Sequence, residues 1–274
     1  MKPISKTAFY TAGIRMLDAR VKRPICNDTL AHVFMNDEGM AILNQTRHLL
    51  GPRITTVQRY KIIDDILNEL LQKNNKQQII LIGAGFDTRA YRLPGGNWIE
   101  LDEPEIMAYK EQKLPALECP HPLQRIAIQF AHEPLIEKLR PFATHDQVVV
   151  IYEGVMMYLS EKQIDENIKV IQQIFPNHLL ICDLITRAFF YLFSRKLHRQ
   201  LSELGASFQF KHYDKPQQFF TQKNYAQLRQ ISIPQTAVAA GNLVIPPLIY
   251  FLFKNVFITG YTVNVFEYRR KLRQ

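Results

Sequence analysis

Residues 78–93 read QIILIGAGFDTRAYRL, and the first eight of them decide the fold. Gln78–Ile82 is a short apolar run rich in β-branched side chains, as suits a parallel strand buried on both faces. Gly83-Ala84-Gly85 follows without a gap. Glycines between a strand and a helix let the backbone approach a ligand closely. The next residues read as helical and stop near Pro94-Gly95-Gly96. Strand, glycine loop and helix in that order open a βαβ unit.

Downstream the pattern repeats. Residues 98–101 form a second candidate strand ending at Asp102, 123–130 contain a third, 148–152 (VVVIY) are a fourth and 179–182 (LLIC) a fifth. Helical patterns fall between them. The clearest begins at Ser160, which with Gln163 makes a capping box, and Ile164, Ile168 and Ile171 line one face. This alternation predicts an α/β fold with a doubly wound, mostly parallel sheet. Residues 261–268 (YTVNVFEY) read as a late strand, an antiparallel edge beside a strand near 207–210. Residues 1–75 read as helical. Ile62, Ile63, Ile66, Leu67, Leu70 and Leu71 form one helix face, Gly51-Pro52 is its upstream break, and KNNK at 73–76 closes it. Residues 186–205, with Phe189, Phe190, Phe193, Leu197 and Leu201, are an amphipathic helix. It is either a lid over the carboxyl ends of the strands, where ligands bind in such folds, or a helix packed on the core.

Composition narrows the function. The 274 residues are 47% hydrophobic and 22% charged, which excludes disorder and a disulfide miniprotein. No internal repeat or low-complexity linker divides 1–274, so a single domain is expected. Cys26, Cys119 and Cys182 are widely spaced and odd in number, which argues for a reducing compartment and against a zinc or redox pair. The N-terminus lacks an apolar h-region, so no secretory signal is expected. Residues 243–253 (LVIPPLIYFLF) are broken by Pro246-Pro247 and followed by Lys254. A membrane span needs ~18 or more apolar residues, so this stretch reads as core or lid, and the protein as soluble and cytoplasmic. The net charge of +9 comes from scattered cations, with a short cluster at Arg269, Arg270, Lys271 and Arg273. It reads as a solvated surface rather than a nucleic-acid site.

Asp102 lies nineteen residues beyond Gly83, at the end of the second strand. There an acid accepts both hydroxyls of a ribose, although an N-cap before Pro104 is the alternative role. Thr88 stands where the dinucleotide fingerprint wants Gly or Ala. Asp87 sits where a helix N-terminus would otherwise offer bare N–H groups to a pyrophosphate, and its charge repels phosphate. It also suits a helix cap, and the two roles are compatible. S-adenosyl-L-methionine carries two cationic centres and no phosphate. A site lined by Asp87, Asp102 and Glu153, with Gly83 and Gly85 beneath, fits that cofactor.

GAGFDTRAYRL (83–93), ELD (100–102) and YEGVMMYLS (152–160) resemble the leucine carboxyl methyltransferase family, as do KTAFYTAGIR (6–15) and RYKIIDD (59–65) upstream. The resemblance spans residues 6 to 185. It implies a class I S-adenosylmethionine-dependent O-methyltransferase with a Rossmann-like, seven-stranded sheet, an N-terminal helical cap over 1–75 and a lid insertion after the fifth strand. It places Arg59 on the methionyl carboxylate of the cofactor, Gly83 at its methionyl part, Asp102 on the ribose and Glu153 near the amino group and the methyl-transfer centre. Arg15 matches the cationic residue of the cap, and Tyr158 a tyrosine beside the acceptor. Where the family has an Asp-Leu-type pair at the adenine, this chain has Gln129-Phe130. Gln129 can still bond the adenine edge and Phe130 cover its face.

The implied reaction is transfer of a methyl group to oxygen, on a small molecule or a carboxylate-bearing acceptor such as a protein C-terminus. A carboxylate is already ionised at neutral pH and needs a clamp, for which Arg15, Arg187 and Tyr158 are candidates. A hydroxyl would need a base, with His132 or His145 the guesses, both of which equally suit surface histidines. Met156 and Met157 suit either an acceptor floor or plain core. No metal-ligand spacing is present. Two rival readings are a nicotinamide oxidoreductase, against which Asp87 and Thr88 argue, and a non-catalytic basic binding protein on a degenerate methyltransferase fold.

Overall fold

The computed structural model describes residues 6–130, 132–203, 209 and 214–270. The segment ahead of the sheet is helical: α1 (Thr7–Ala19), α2 (Asp37–Thr46) and α3 (Leu50–Lys73). The strand-and-helix alternation then runs β1 (Gln78–Ile82), α4 (Arg89–Arg92), β2 (Asn97–Asp102), α5 (Pro104–Lys113), β3 (Leu123–Ala127), α6 (Leu135–Leu139), β4 (Val148–Tyr152), α7 (Glu161–Ile174) and β5 (Asn177–Ile185). After β5 come α8 (Arg187–Phe189), a π-helical turn at Phe190–Ser194 and α9 (Arg195–Glu203). Then follow α10 (Gln218–Thr221), β6 (Ala226–Ser232), α11 (Ile233–Ala239), α12 (Pro247–Leu252), α13 (Lys254–Thr259) and β7 (Tyr261–Arg269).

The seven strands lie in the order β3-β2-β1-β4-β5-β7-β6, a Rossmann-like sheet. All neighbours are parallel except β7, which runs antiparallel to both β5 and β6. The order in which successive strands are added reverses between β1 and β4, the position at which open α/β sheets leave a crevice beyond their carboxyl ends. Alternation along β1 splits the core. Ile79 and Leu81 pack with α1, α2 and α3, whereas Ile80 and Ile82 pack with Ile164, Ile168 and Ile171 of α7. The capping box at Ser160 and Gln163 is formed in both directions.

Three expectations change. The late strand is not an edge: β7 is inserted between β5 and β6, pairing Ile181 with Val265 on one side and Ile231 with Val263 on the other. The edge is β6, whose sequence AQLRQIS is too polar to read as a strand and is mostly exposed. Polar, charged side chains are what keep an edge from pairing with other chains. The pairing expected near 207–210 falls mostly outside the described residues; Gln209, which is described, donates its N–H to the Met157 carbonyl. Finally, Gly51-Pro52 does not break the helix but forms the first turn of α3. There the proline's missing N–H costs nothing, because first-turn donors have no helical partner.

Candidate functional site

The crevice is a cavity of about 430 Å³. Its floor is the β1 and β4 loops and the end of β2, its sides are α1 and α3, and its roof is residues 189–201 and 243–249. The floor is stitched by backbone. Gly83 and Ala84 donate N–H groups to the Leu101 carbonyl at 2.8 and 3.0 Å, fixing the β1 loop on β2. Gly83 has φ +73, and a Cβ there would meet Val155 Cγ2 at 2.3 Å, so the β1 and β4 loops touch through a position only glycine suits. Gly154 (φ +67) plays the same part toward α3, since its Cβ would lie 3.0 Å from Arg59 Nη2.

Asp102 lines the cavity and accepts the Gly85 N–H at 2.6 Å and the Glu103 N–H at 2.7 Å, one on each oxygen. A carboxylate offers about four lone-pair sites, so roughly two remain for ligand hydroxyls. Burial pushes its pKa up to about 6, against the pull of those two N–H groups. The Asp102 side chain ties down the turn before α5 and faces the cavity, but it is not the helix cap weighed for it. The N-cap of α5 is Glu103.

An ion network runs beneath. Arg59 donates Nε to Glu153 Oε1 at 2.9 Å, and Nη1 to Asp183 Oδ2 at 3.0 Å and the Tyr261 hydroxyl at 2.6 Å. Its Nη2 makes no protein hydrogen bond among the described residues, and that nitrogen is the one available to an anionic ligand group. Asp183 also receives the Gly154 N–H at 2.6 Å, so β5 orients both α3 and the β4 loop. Arg89, fully buried, donates to Asp64 at 2.6 Å, to Asp87 at 2.5 Å, to Glu153 at 2.7 Å and to the Tyr60 carbonyl at 3.2 Å. Arg15 bonds Asp28 at 2.8 Å and the Phe86 carbonyl at 2.6 Å. Arg92 bridges to Asp64 at 3.0 Å. The guanidinium groups of Arg15, Arg89 and Arg92 surround the Tyr60 ring at 4.5, 3.7 and 5.2 Å from its centroid.

This network corrects the acidic picture. Asp87 and Glu153 are not an unpaired anionic lining. Burial opposes ionisation of Glu153, but Arg89 and Arg59 outweigh it and hold the carboxyl below its usual range. Burial of Asp87 is likewise outweighed by Arg89, Lys110 and Arg15. Asp87 also accepts the Arg89 N–H at 2.7 Å in the turn before α4, but it is not the helix cap: the N-cap is Thr88. Arg89, Asp183, Tyr261, Asp64 and Gly154 were assigned no role from the sequence. The signals existed: a lone acid inside the apolar run of β5, and an arginine within the glycine-loop motif.

Of the other expected residues, Arg59, Gly83, Gly85, Asp87, Asp102, Phe130, Glu153, Tyr158 and Arg15 all line the cavity. Gln129 does not; it is exposed, and its N–H donates to Glu133. Arg187, His132 and His145 are exposed and off the cavity wall. Met157 is on the wall, whereas Met156 belongs to the core on the far face of the sheet. Burial raises the Tyr158 phenol pKa, so it is a neutral hydroxyl and a hydrogen-bond donor. No histidine lines the cavity among the described residues. Among those residues no group of three His, Cys, Asp or Glu could hold a metal ion, and no helix is long and apolar enough to cross a membrane. Phe189, Phe193, Leu197 and Leu201 supply the roof, so the segment after β5 packs on the cavity itself.

A family model described as leucine carboxyl methyltransferase matches residues 8–172. A provisionally named S-adenosyl-L-methionine-dependent methyltransferase of Parafrankia sp. (strain EAN1pec) is 28% identical over 179 residues, covering 58% of this chain and 56% of that protein. A similarly named protein of Mycolicibacterium smegmatis is 33% identical over 125 residues, covering 40% and 42%. The chain spans about half the length of the curated relatives it matches. Among solved structures, a DUF574 family protein from Streptomyces avermitilis aligns with a TM-score of 0.64 at 11% identity, covering 94% of this chain and 96% of that one. Magnesium protoporphyrin IX methyltransferase from Synechocystis PCC 6803 with bound SAH aligns at 0.51 with 12% identity, covering 88% and 98%. At such identities the likeness is one of fold.

Proposed function

The chain belongs to the leucine carboxyl methyltransferase family, and from that premise we propose that it is an S-adenosyl-L-methionine-dependent O-methyltransferase acting on a carboxylate-bearing acceptor. One observation carries the reading: the β1 glycine loop, Asp102 and the free Nη2 edge of Arg59 converge on a single cavity at the β1/β4 crossover. The residues fit the donor. Asp102 would take the ribose hydroxyls with its remaining lone pairs, Arg59 Nη2 the methionyl carboxylate, and Phe130 would cover the base. Glu153, held in place by Arg59 and Arg89, would accept from the ammonium group. When bound there, the donor supplies an electrophilic methyl group on a sulfonium.

The protein's own work is alignment. Orientation of reactants can contribute ~7–11 kcal/mol in favourable cases, and a network as fully bonded as this one leaves its side chains little freedom. The choice of acceptor follows from what the walls lack. A hydroxyl acceptor needs a base; the described lining holds no histidine, Tyr158 stays protonated, Asp87 and Glu153 are held by arginines, and Asp102 is given to the ribose. A carboxylate needs only a donor to hold it, a role for Tyr158, with Arg15 at the inner end. We read the chain 1–274 as one methyltransferase unit, with 1–75 as cap and 186–205 as lid, working in the cytoplasm.

Calorimetry tests the donor. S-adenosylhomocysteine should bind and NAD(H) should not, and Asp102→Asn should weaken binding at least ~10-fold, since a lost bond to a charged group is worth ~1.5–3 kcal/mol. Binding of NAD(H) alone would replace this reading with the oxidoreductase. Methyl transfer is then followed as S-adenosylhomocysteine release over matched carboxylic acids and phenols; turnover of phenols only would overturn the carboxylate choice.

A further inference from the structure

The roof of the cavity continues onto the outside of the molecule. Helix α12, PLIYFL, is apolar on every side. One side packs inward: Tyr250 stacks on Phe257 with centroids 5.8 Å apart, and Ile249 lines the cavity. The other side faces solvent, with Leu248 70%, Phe251 76% and Leu252 65% exposed, and Val244 just upstream 88%. On the π-helical turn across the mouth, Tyr191 and Leu192 are about half exposed. The two surfaces join through Phe193, whose ring meets Phe253 at 5.9 Å and Phe257 at 4.9 Å. A helix apolar all round belongs in a core or against a nonaqueous surface, and an apolar patch continuous with a binding cavity marks an interaction site.

Charge on the segments that carry this face is almost all of one sign, with Glu203 at the end of α9 the exception. Residues 187–202 contain Arg187, Arg195, Lys196 and Arg199 and no Asp or Glu; residues 233–266 contain Lys254 and no Asp or Glu. All five cations are exposed. A chain with 25 acidic residues thus leaves 187–202 and 233–266, around the cavity mouth, without one. Apolar side chains that can enter the acyl boundary, carried on segments that also bear exposed cations able to meet headgroups, are complementary to an anionic bilayer.

We propose that the face formed by Val244, Leu248, Phe251, Leu252, Tyr191 and Leu192 docks on an anionic lipid surface, setting the cavity mouth against the hydrocarbon. Resting on the function proposed for the cavity, this makes the acceptor an amphiphile: an apolar body that fits under Phe193 and Leu197, with its oxygen toward Tyr158.

Co-sedimentation of the full chain with vesicles tests the proposal, using phosphatidylcholine alone and phosphatidylcholine mixed with phosphatidylglycerol. Binding to the mixed vesicles is expected, weakened by salt, and reduced at least ~10-fold by Leu248→Ser/Phe251→Ser, because each removes exposed apolar area that would enter the bilayer. Those side chains are on the surface, so the double variant should bind S-adenosylhomocysteine as the parent does, which checks its fold. Absence of binding to the mixed vesicles overturns the proposal, as does equal binding by the double variant. A lipid-free dimer in sedimentation velocity that the double variant converts to monomer would also overturn it, by showing that a second copy covers the face. If vesicles bind and S-adenosylhomocysteine does not, the docking surface stands and the donor reading falls.

Discussion

The floor and the roof of the cavity are built on opposite principles. The floor and its flanks hold Arg15, Arg59, Arg89 and Arg92 against Asp28, Asp64, Asp87, Glu153 and Asp183, joined by directional bonds and largely dry. The roof holds Phe189, Phe193, Leu197, Leu201 and Ile249, with no carboxylate from 187 to 202. A wall made of buried charges has one arrangement, because a displaced group is left unpaired in a poor solvent. A wall made of apolar area has many arrangements of similar energy. The floor is therefore suited to one invariant ligand, and the roof to a ligand class.

The sharpest way to break the comparison is at Arg89. Arg89→Met keeps the volume and removes the cation, leaving Asp64, Asp87 and Glu153 facing each other without it. Removing one partner of a buried ion pair costs about 3–5 kcal/mol, so urea unfolding should show a loss of that order. A change below ~1 kcal/mol would class the floor's charges with exposed surface pairs, which contribute only ~0.2–1 kcal/mol. Gly83→Ala comes next. It combines an αL backbone with a Cβ pressed on Val155, and should cost at least ~2 kcal/mol. Adding Val155→Ala should recover the steric part and leave ~1 kcal/mol of backbone strain. Recovery to parental stability would show that φ +73 carries no penalty there.

Titration of Asp102 gives a smaller effect with a distinctive sign. Its folded pKa of about 6 lies above the ordinary 3.8. The folded state therefore takes up its proton first as pH falls. Between pH 6 and about 4 this group's contribution to folding stability rises, since the cost of the buried charge is relieved. Donor binding should move the other way. Above pH 7 both carboxylate oxygens accept, and S-adenosylhomocysteine affinity should be flat. Through pH 6 one acceptor is lost, and affinity should fall by up to ~10-fold. In Asp102→Asn the pH dependence should vanish. An affinity constant down to pH 5 would remove Asp102 from the ribose.

What the residues disclose beforehand follows the same division. Local patterns are readable: the buried strand at 78–82, the capping box at Ser160, and the spacing of Asp102 from Gly83. Each depends on neighbours in sequence. The ion network depends on partners such as Arg59 and Asp183, 124 positions apart, and on Tyr261, 202 from Arg59. Nothing local says that Asp87 faces an arginine rather than a ligand. Strand β6 was illegible for a different reason: an edge needs polar side chains, which erase the period-two signal. Gln129 looked like an adenine contact because alignment with a motif gives position along the chain, not the direction of a side chain. Phe130, its neighbour, is the one that reaches the wall.

The mildest test addresses the roof alone. Leu197→Met conserves volume and adds a flexible, polarisable side chain, and such swaps usually cost less than ~1.5 kcal/mol. Leu197 is partly buried and packs with the apolar cluster that includes Phe189 and Phe257, not with the arginines. Affinity for S-adenosylhomocysteine should therefore stay within ~2-fold of the parent, a difference of about 0.4 kcal/mol. The preference among carboxylic acids of different chain length should shift instead, because kcat/KM for each reads the fit of an apolar body against position 197. A variant with tenfold weaker donor binding and unchanged acceptor preference would invert the assignment. Roof and floor would then be one coupled unit, with aromatic packing over the cavity setting the geometry of the charges below it.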